Sequence, residues 1–140
     1  MSIIESIREY MSQCPLLENG NINVDFLGSD KIEYTIETVP CEPVIKHYVD
    51  GSSIRQYEFV IASREFYGAD IVQNIANSVF YENLAQWIEN NSRNKILPVM
   101  ENEKQCADKI EILTHGGLIS EDSKTAVYQI QLRLIYFQEV

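Results

Sequence analysis

Tyr128-Gln129-Ile130-Gln131-Leu132-Arg133-Leu134-Ile135-Tyr136 is the sharpest pattern in the chain. Successive side chains of a β-strand point to opposite faces. Tyr128, Ile130, Leu132, Leu134 and Tyr136 therefore make a buried face, and Gln129, Gln131 and Arg133 a wet one. Such a strand needs neighbours, and the sequence upstream supplies them. Glu33 to Val39 alternates and is rich in β-formers. Val44 to Val49 and Ile54 to Ala62 read as two more strands, with Asp50-Gly51 between them to supply positive φ in a tight hairpin. The expected sheet contains residues 33–39, 44–49, 54–62, 109–114 and 126–137. Gly116-Gly117 reads as a turn. Residues 15–31 read as a loop with one short strand around Ile22, Val24 and Phe26.

Two segments have the helical period instead. Ser2-x-x-Glu5 is a capping-box signature, and Ile3, Ile4, Ile7, Tyr10 and Met11 recur at helical spacing, so residues 2–13 are expected to form an amphipathic helix ended by Pro15. From Ala69 to about Asn91, the residues Val72, Ile75, Ala76, Val79, Phe80, Leu84, Trp87 and Ile88 follow i, i+3, i+4 steps, with Asp70 and Gln73 as a candidate cap. This order of elements predicts one α+β domain over residues 1–140: a mostly antiparallel sheet with an N-terminal helix and one long central helix packed on one face.

Composition narrows the function classes. The chain has 140 residues, 11 basic and 21 acidic side chains, and a net charge of −10. It has no basic run to neutralise phosphates, so tight nucleic-acid binding is not expected. No apolar stretch approaches the roughly 20 residues that span a bilayer, and the first residues lack a signal-peptide pattern. A cytoplasmic protein with no membrane partner is the expectation. Cys14, Cys41 and Cys106 are widely spaced and form no CxxC, which reads as three small buried thiols rather than a metal or redox site. His47 falls on the solvent side of a strand, and His115 precedes the Gly116-Gly117 turn. No zinc-protease, nucleophile-elbow, P-loop or dinucleotide-binding motif occurs. Catalytic residues, metal ligands and cofactors are accordingly expected to be none, with a Cys-His pair left open. Tyr48, Tyr57, Phe66, Tyr67, Tyr81, Tyr128, Tyr136 and Phe137, beyond the core candidates Phe59, Phe80 and Trp87, are more aromatics than one small core needs, and Tyr is favoured at interfaces.

A set of segments carries a family resemblance. Tyr48-Val49-Asp50-Gly51-Ser52 leads into Arg55-Gln56-Tyr57-Glu58-Phe59, then Ser63-Arg64-Glu65, Tyr67-Gly68-Ala69-Asp70 and Gln73-Asn74-Ile75. Phe80-Tyr81, Trp87, Leu97-Pro98, Tyr128 to Leu132 and Ile135-Tyr136-Phe137 follow in order. From about residue 45 onward the chain resembles the small "minor capsid" or tail-terminator proteins of prophages in Gram-positive bacteria. The resemblance implies a gpU-like α+β fold. It also implies a structural subunit that forms a homo-oligomeric ring, commonly a hexamer, at the head-proximal end of a tail tube. Partners would be the tube and sheath or neck proteins. The site of work would be the host cytoplasm during assembly, and the virion or tail-like particle afterwards. A head–tail connector or stopper ring fits the same residues. A small intracellular enzyme or ligand-binding module is the alternative outside this class. An acidic ring would let DNA slide through its lumen without trapping it. The hairpin residues Tyr48, Asp50, Gly51, Arg55 and Tyr57 are the expected subunit interface, since they combine a protruding turn with residue types enriched in hot spots.

Overall fold

A computed structural model describes residues 2–15, 21–24, 33–66, 71–121 and 125–140; within these, residues 21–24, 33, 64–66, 71–78, 115–121 and 125–127 are described by backbone alone. The described elements run α1 (Ile3–Met11), β1 (Asn21–Val24), β2 (Glu33–Val39), β3 (Val44–His47), β4 (Ser53–Phe66), α2 (Ile71–Arg93), β5 (Gln105–Glu121) and β6 (Thr125–Gln138). The fold is α+β. The strands form one sheet in the order β1-β2-β4-β6-β5, with β3 also paired to β4. Among the described strands only β1 and β2 are parallel. Both β2 and β3 lie antiparallel to β4, from Tyr34↔Ser63 to Val39↔Glu58 and then from Val44↔Arg55 to His47↔Ser53. They are therefore successive stretches of one bent strand, broken by the segment from Pro40 to Pro43, where proline cannot donate to a ladder.

Long β6 is the hub, paired with β4 from Ser53↔Gln138 to Phe66↔Thr125 and with β5 on its other side. Its alternation is realised. Ile130, Leu132 and Leu134 are 0% exposed, and Tyr128 and Tyr136 are buried beside them. They meet Phe59 and Ile61 of β4, Ile36 of β2 and Ile110 of β5 in one core with both helices. Tyr10 of α1 touches Trp87 of α2 with ring centroids 5.3 Å apart, so the two helices share one face of the sheet. Across the other face Arg133 donates to Gln56 Oε1 at 3.1 Å and pairs with Glu111 at 2.6 Å, and Lys109 pairs with the same carboxylate at 3.1 Å.

The capping box forms as expected: the Ser2 hydroxyl accepts from the Glu5 N–H, and the Glu5 carboxylate accepts in return from the Ser2 backbone. Helix α2 closes differently, in a Schellman motif in which Ile96 N donates to Asn91 O at 2.8 Å and Lys95 N to Ser92 O at 3.2 Å. Lys95 has φ of 58° at the position glycine usually takes.

The helix face differs from the expected one in detail. Tyr81, Leu84, Ala85 and Ile88 make the buried stripe, whereas Val79 is exposed. Tyr81 can be inside because its hydroxyl is satisfied: it pairs with Ser63 Oγ at 2.5 Å and donates to the carbonyl of Tyr128 at 3.1 Å. The side chains of Val72, Ile75 and Ala76 and the candidate cap at Asp70 lie outside the described residues. So do Phe26 and the link before β2.

Two more expectations are corrected. Gly116-Gly117 is no turn: both lie inside β5, where Thr114↔Gln131 is followed by Gly117↔Gln129, so the pair sits at a bulge in a strand that continues to Glu121. The thiols are not uniformly buried; Cys14 is, Cys41 is half-buried and Cys106 is exposed. Tyr128 and Tyr136 are buried as the alternation of the last strand required, and Tyr81, whose place the sequence left open, joins them in the core. No helix among the described residues is long and apolar enough to cross a membrane.

Candidate assembly surface

The β3–β4 hairpin turns through three residues. Tyr48 N donates to Ser52 O at 2.9 Å, and Gly51 N donates to Tyr48 O at 3.1 Å. Gly51 has φ of +95°, which the closing residue of this loop type requires and which L side chains rarely adopt. A Cβ there would also stand 3.0 Å from Cγ2 of Val140, so the chain end lies against the turn. Asp50 braces the loop by accepting from the Ser52 N–H at 2.9 Å and the Ser52 hydroxyl at 2.5 Å. Those hydrogen bonds hold its carboxyl below the usual carboxylate range, so the tip keeps a negative charge at neutral pH. Above this brace Val49 projects fully, at 109% of its reference exposure.

Tyr48 is exposed, with Lys46 Nζ 5.1 Å from its ring centroid and the Phe137 ring 6.3 Å away. Ile45 and His47 are exposed on β3 as well. Among the described residues β3 is paired only with β4, which leaves its outer edge bare. Arg55 and Tyr57 sit apart from this tip. Arg55 Nε donates to Ser53 Oγ at 3.0 Å, and Tyr57 is half-buried against the core with its hydroxyl 2.5 Å from Thr38 Oγ1. The structure thus brings together Tyr48, Asp50 and Gly51 of the expected interface and assigns Tyr57 mainly to the subunit's own packing.

The sequence reading missed Ile45, Val49 and Val140, because an apolar residue inside a β-rich stretch reads as core. It also missed a second surface. Downstream of α2, the residues Lys95, Leu97, Pro98, Val99 and Met100 face Gln105, Cys106 and Ala107 at the start of β5 across an open cleft of about 360 Å³. Val99 is 80% exposed at this cleft and the neighbouring Ile96 is 49% exposed. The Lys95 ammonium donates to the Asp108 carbonyl at 3.2 Å and stands 3.7 Å from its carboxylate. The exposed large apolar side chains among the described residues are Ile45, Tyr48, Val49, Val79, Ile96, Val99, Leu113 and Val140; Tyr48, Val49 and Val140 stand at the tip with Ile45 beside it on β3, and Val99 lines the cleft with Ile96 next to it in the chain.

Chemistry-bearing groups do not converge in the same way. Among the described residues no three His, Cys, Asp or Glu side chains stand close enough to hold a metal ion. His47 is exposed on β3, and the side chain of His115 lies outside the described residues. The sequence matches no protein-family model and no curated protein.

Proposed function

We propose that this chain is a non-enzymatic structural subunit of a bacteriophage tail or tail-like particle, working as one copy in the terminator ring at the head-proximal end of the tail tube. The word "tail" rests on the sequence resemblance that runs from about residue 45 to the last strand. What supports a structural over a catalytic role is the distribution of exposed apolar surface. Among the described residues it is concentrated on a braced, protruding hairpin and around a cleft at the opposite flank of the sheet, and such patches on a small domain mark protein contacts. The net charge of −10 is compatible with a lumen through which DNA passes without being held.

Particles purified from a host that carries the gene test this directly. Quantitative mass spectrometry is expected to find the protein at a copy number matching one ring per particle. Deleting the gene is expected to yield tails of uncontrolled length. Tails of normal length that fail to join heads would assign the chain to a connector or stopper ring instead. Absence of the protein from particles would overturn the reading altogether.

A further inference from the structure

We propose that the hairpin tip of one copy, with Val49 foremost, seats in the cleft between the α2–β5 link and the start of β5 in a second copy, joining subunits head-to-tail. This deepens the ring reading and rests on it. Val49, Tyr48 and Ile45 project from the β3 flank at 109%, 40% and 48% exposure, and Val140 lies against the turn. The cleft has the opposite shape: concave, about 360 Å³, lined by Leu97, Val99 and Met100 and by Ala107 of β5. Both surfaces lie at the same end of the sheet, because His47 at the end of β3 pairs with Ser53 of β4, and Ser53 and Gln105 of β5 both stand opposite Gln138 of β6. They are on opposite flanks, with β4 and β6 between them.

A protrusion on one flank and a recess on the other cannot satisfy each other within one chain. Two different surfaces at one level are what a heterologous contact needs, and such a contact, repeated, makes a ring when its rotation closes. Charge agrees with shape. Among the described residues lining the cleft the charged one is Lys95, whereas the tip presents Asp50, which engages Ser52 through a single carboxylate oxygen. A lysine ammonium has three donors, so the contacts with Asp108 do not exhaust it. The occupant that fits the cleft is therefore a second copy of this chain.

Cys106, exposed in the cleft, provides the probe. Particles assembled with Val49→Cys and treated with a mild oxidant are expected to release a ladder of covalent oligomers of this protein on a non-reducing gel. Adding Cys106→Ser should abolish the ladder. A second arm uses Val99→Asp, which lies outside the core. Its melting temperature should be unchanged while its copies per particle fall at least tenfold. Variant protein present in particles with no ladder, a ladder that survives Cys106→Ser, cross-links only to a different protein, or normal incorporation of Val99→Asp would each overturn the proposal and leave the ring reading standing. Failure of the unmodified protein to occur in particles would sink both.

Discussion

The two flanks of the sheet face the same hazard and are finished in opposite ways. On one flank β5 runs from Gln105 to Glu121 with its register to β6 broken repeatedly, between Ala107 and Lys109 and again beyond Ile112. The last turn of α2 then lies over it: Ser92 Oγ accepts from the Ile110 N–H at 3.2 Å, and Lys95 Nζ donates to the Asp108 carbonyl. Bulges and a covering helix are two standard ways to stop a strand edge from recruiting another chain. On the other flank, where β1 is the outer strand beside β2, the hairpin end is held by β3, which is only four residues long, is preceded by Pro43 and carries Lys46, and nothing among the described residues covers it. One flank is sealed by tertiary packing. The other is merely kept short and charged, with apolar side chains left out in solvent at its turn.

That contrast can be broken most severely through α2. Leu84 is 0% exposed, and Leu84→Asp puts a charge into the core that holds α2 against the sheet. The expected loss is about 3–5 kcal/mol, read by chemical denaturation; an unchanged midpoint would mean that α2 does not seal this side. Tyr81→Phe keeps the ring but deletes the hydroxyl that joins α2 to Ser63 and the Tyr128 carbonyl. About 1–2 kcal/mol should be lost, because the Tyr128 carbonyl and the Ser63 hydroxyl lose a partner inside the core.

Ser92→Ala acts on the seal itself by removing the acceptor of the Ile110 N–H. A cost of about 1 kcal/mol is expected, with faster hydrogen exchange at Ile110 and no change at Ile45. Equal acceleration on both flanks would erase the distinction.

The ion cluster on the open face gives a smaller, pH-dependent effect. The hydrogen bond from Arg133 holds Glu111 below its ordinary value of 4.5, with Lys109 helping and partial burial opposing. A carboxyl lowered in the folded state stabilises the fold above its unfolded pKa, and that stability fades as pH falls from about 4.5 through the lowered folded value. The pair is partly solvated, so less than about 1 kcal/mol is at stake. Arg133→Gln should flatten the acid side of the stability profile by that amount.

Last comes Val49→Ser at the open tip. Its effect on stability should stay within about 0.5 kcal/mol, since the side chain touches solvent, while incorporation into particles should fall sharply. A large drop in melting temperature would show that the tip belongs to the subunit's own packing.

How far the sequence could be read depended on whether a pattern was local. The strand over Tyr128 to Tyr136 and the Ser2–Glu5 cap were legible because alternation and capping are decided by residues next to one another. The hairpin was legible from Asp50-Gly51 for the same reason. The bulge at Gly116-Gly117 was not. Two glycines in sequence suit a turn as well as a bulge, and only the continued pairing of β5 with β6 distinguishes them. Of the expected α2 face, Leu84 and Ile88 are buried, but Tyr81 displaced Val79 because distant acceptors, Ser63 and the Tyr128 carbonyl, made a polar-tipped ring cheap to bury.

By itself, then, the sequence determined the α+β class, the positions of the main strands and the place of the hairpin, since backbone preference and the period of apolar residues act over a few neighbouring positions. Tertiary structure alone decided that Tyr81 is core, that Tyr57 packs against the subunit's own core with its hydroxyl at Thr38, and that Val49 stands in solvent at one flank while a cleft opens at the other. Exposure is a property of what packs nearby, and the residues that seal β5 or leave β3 bare come from segments far apart in the chain.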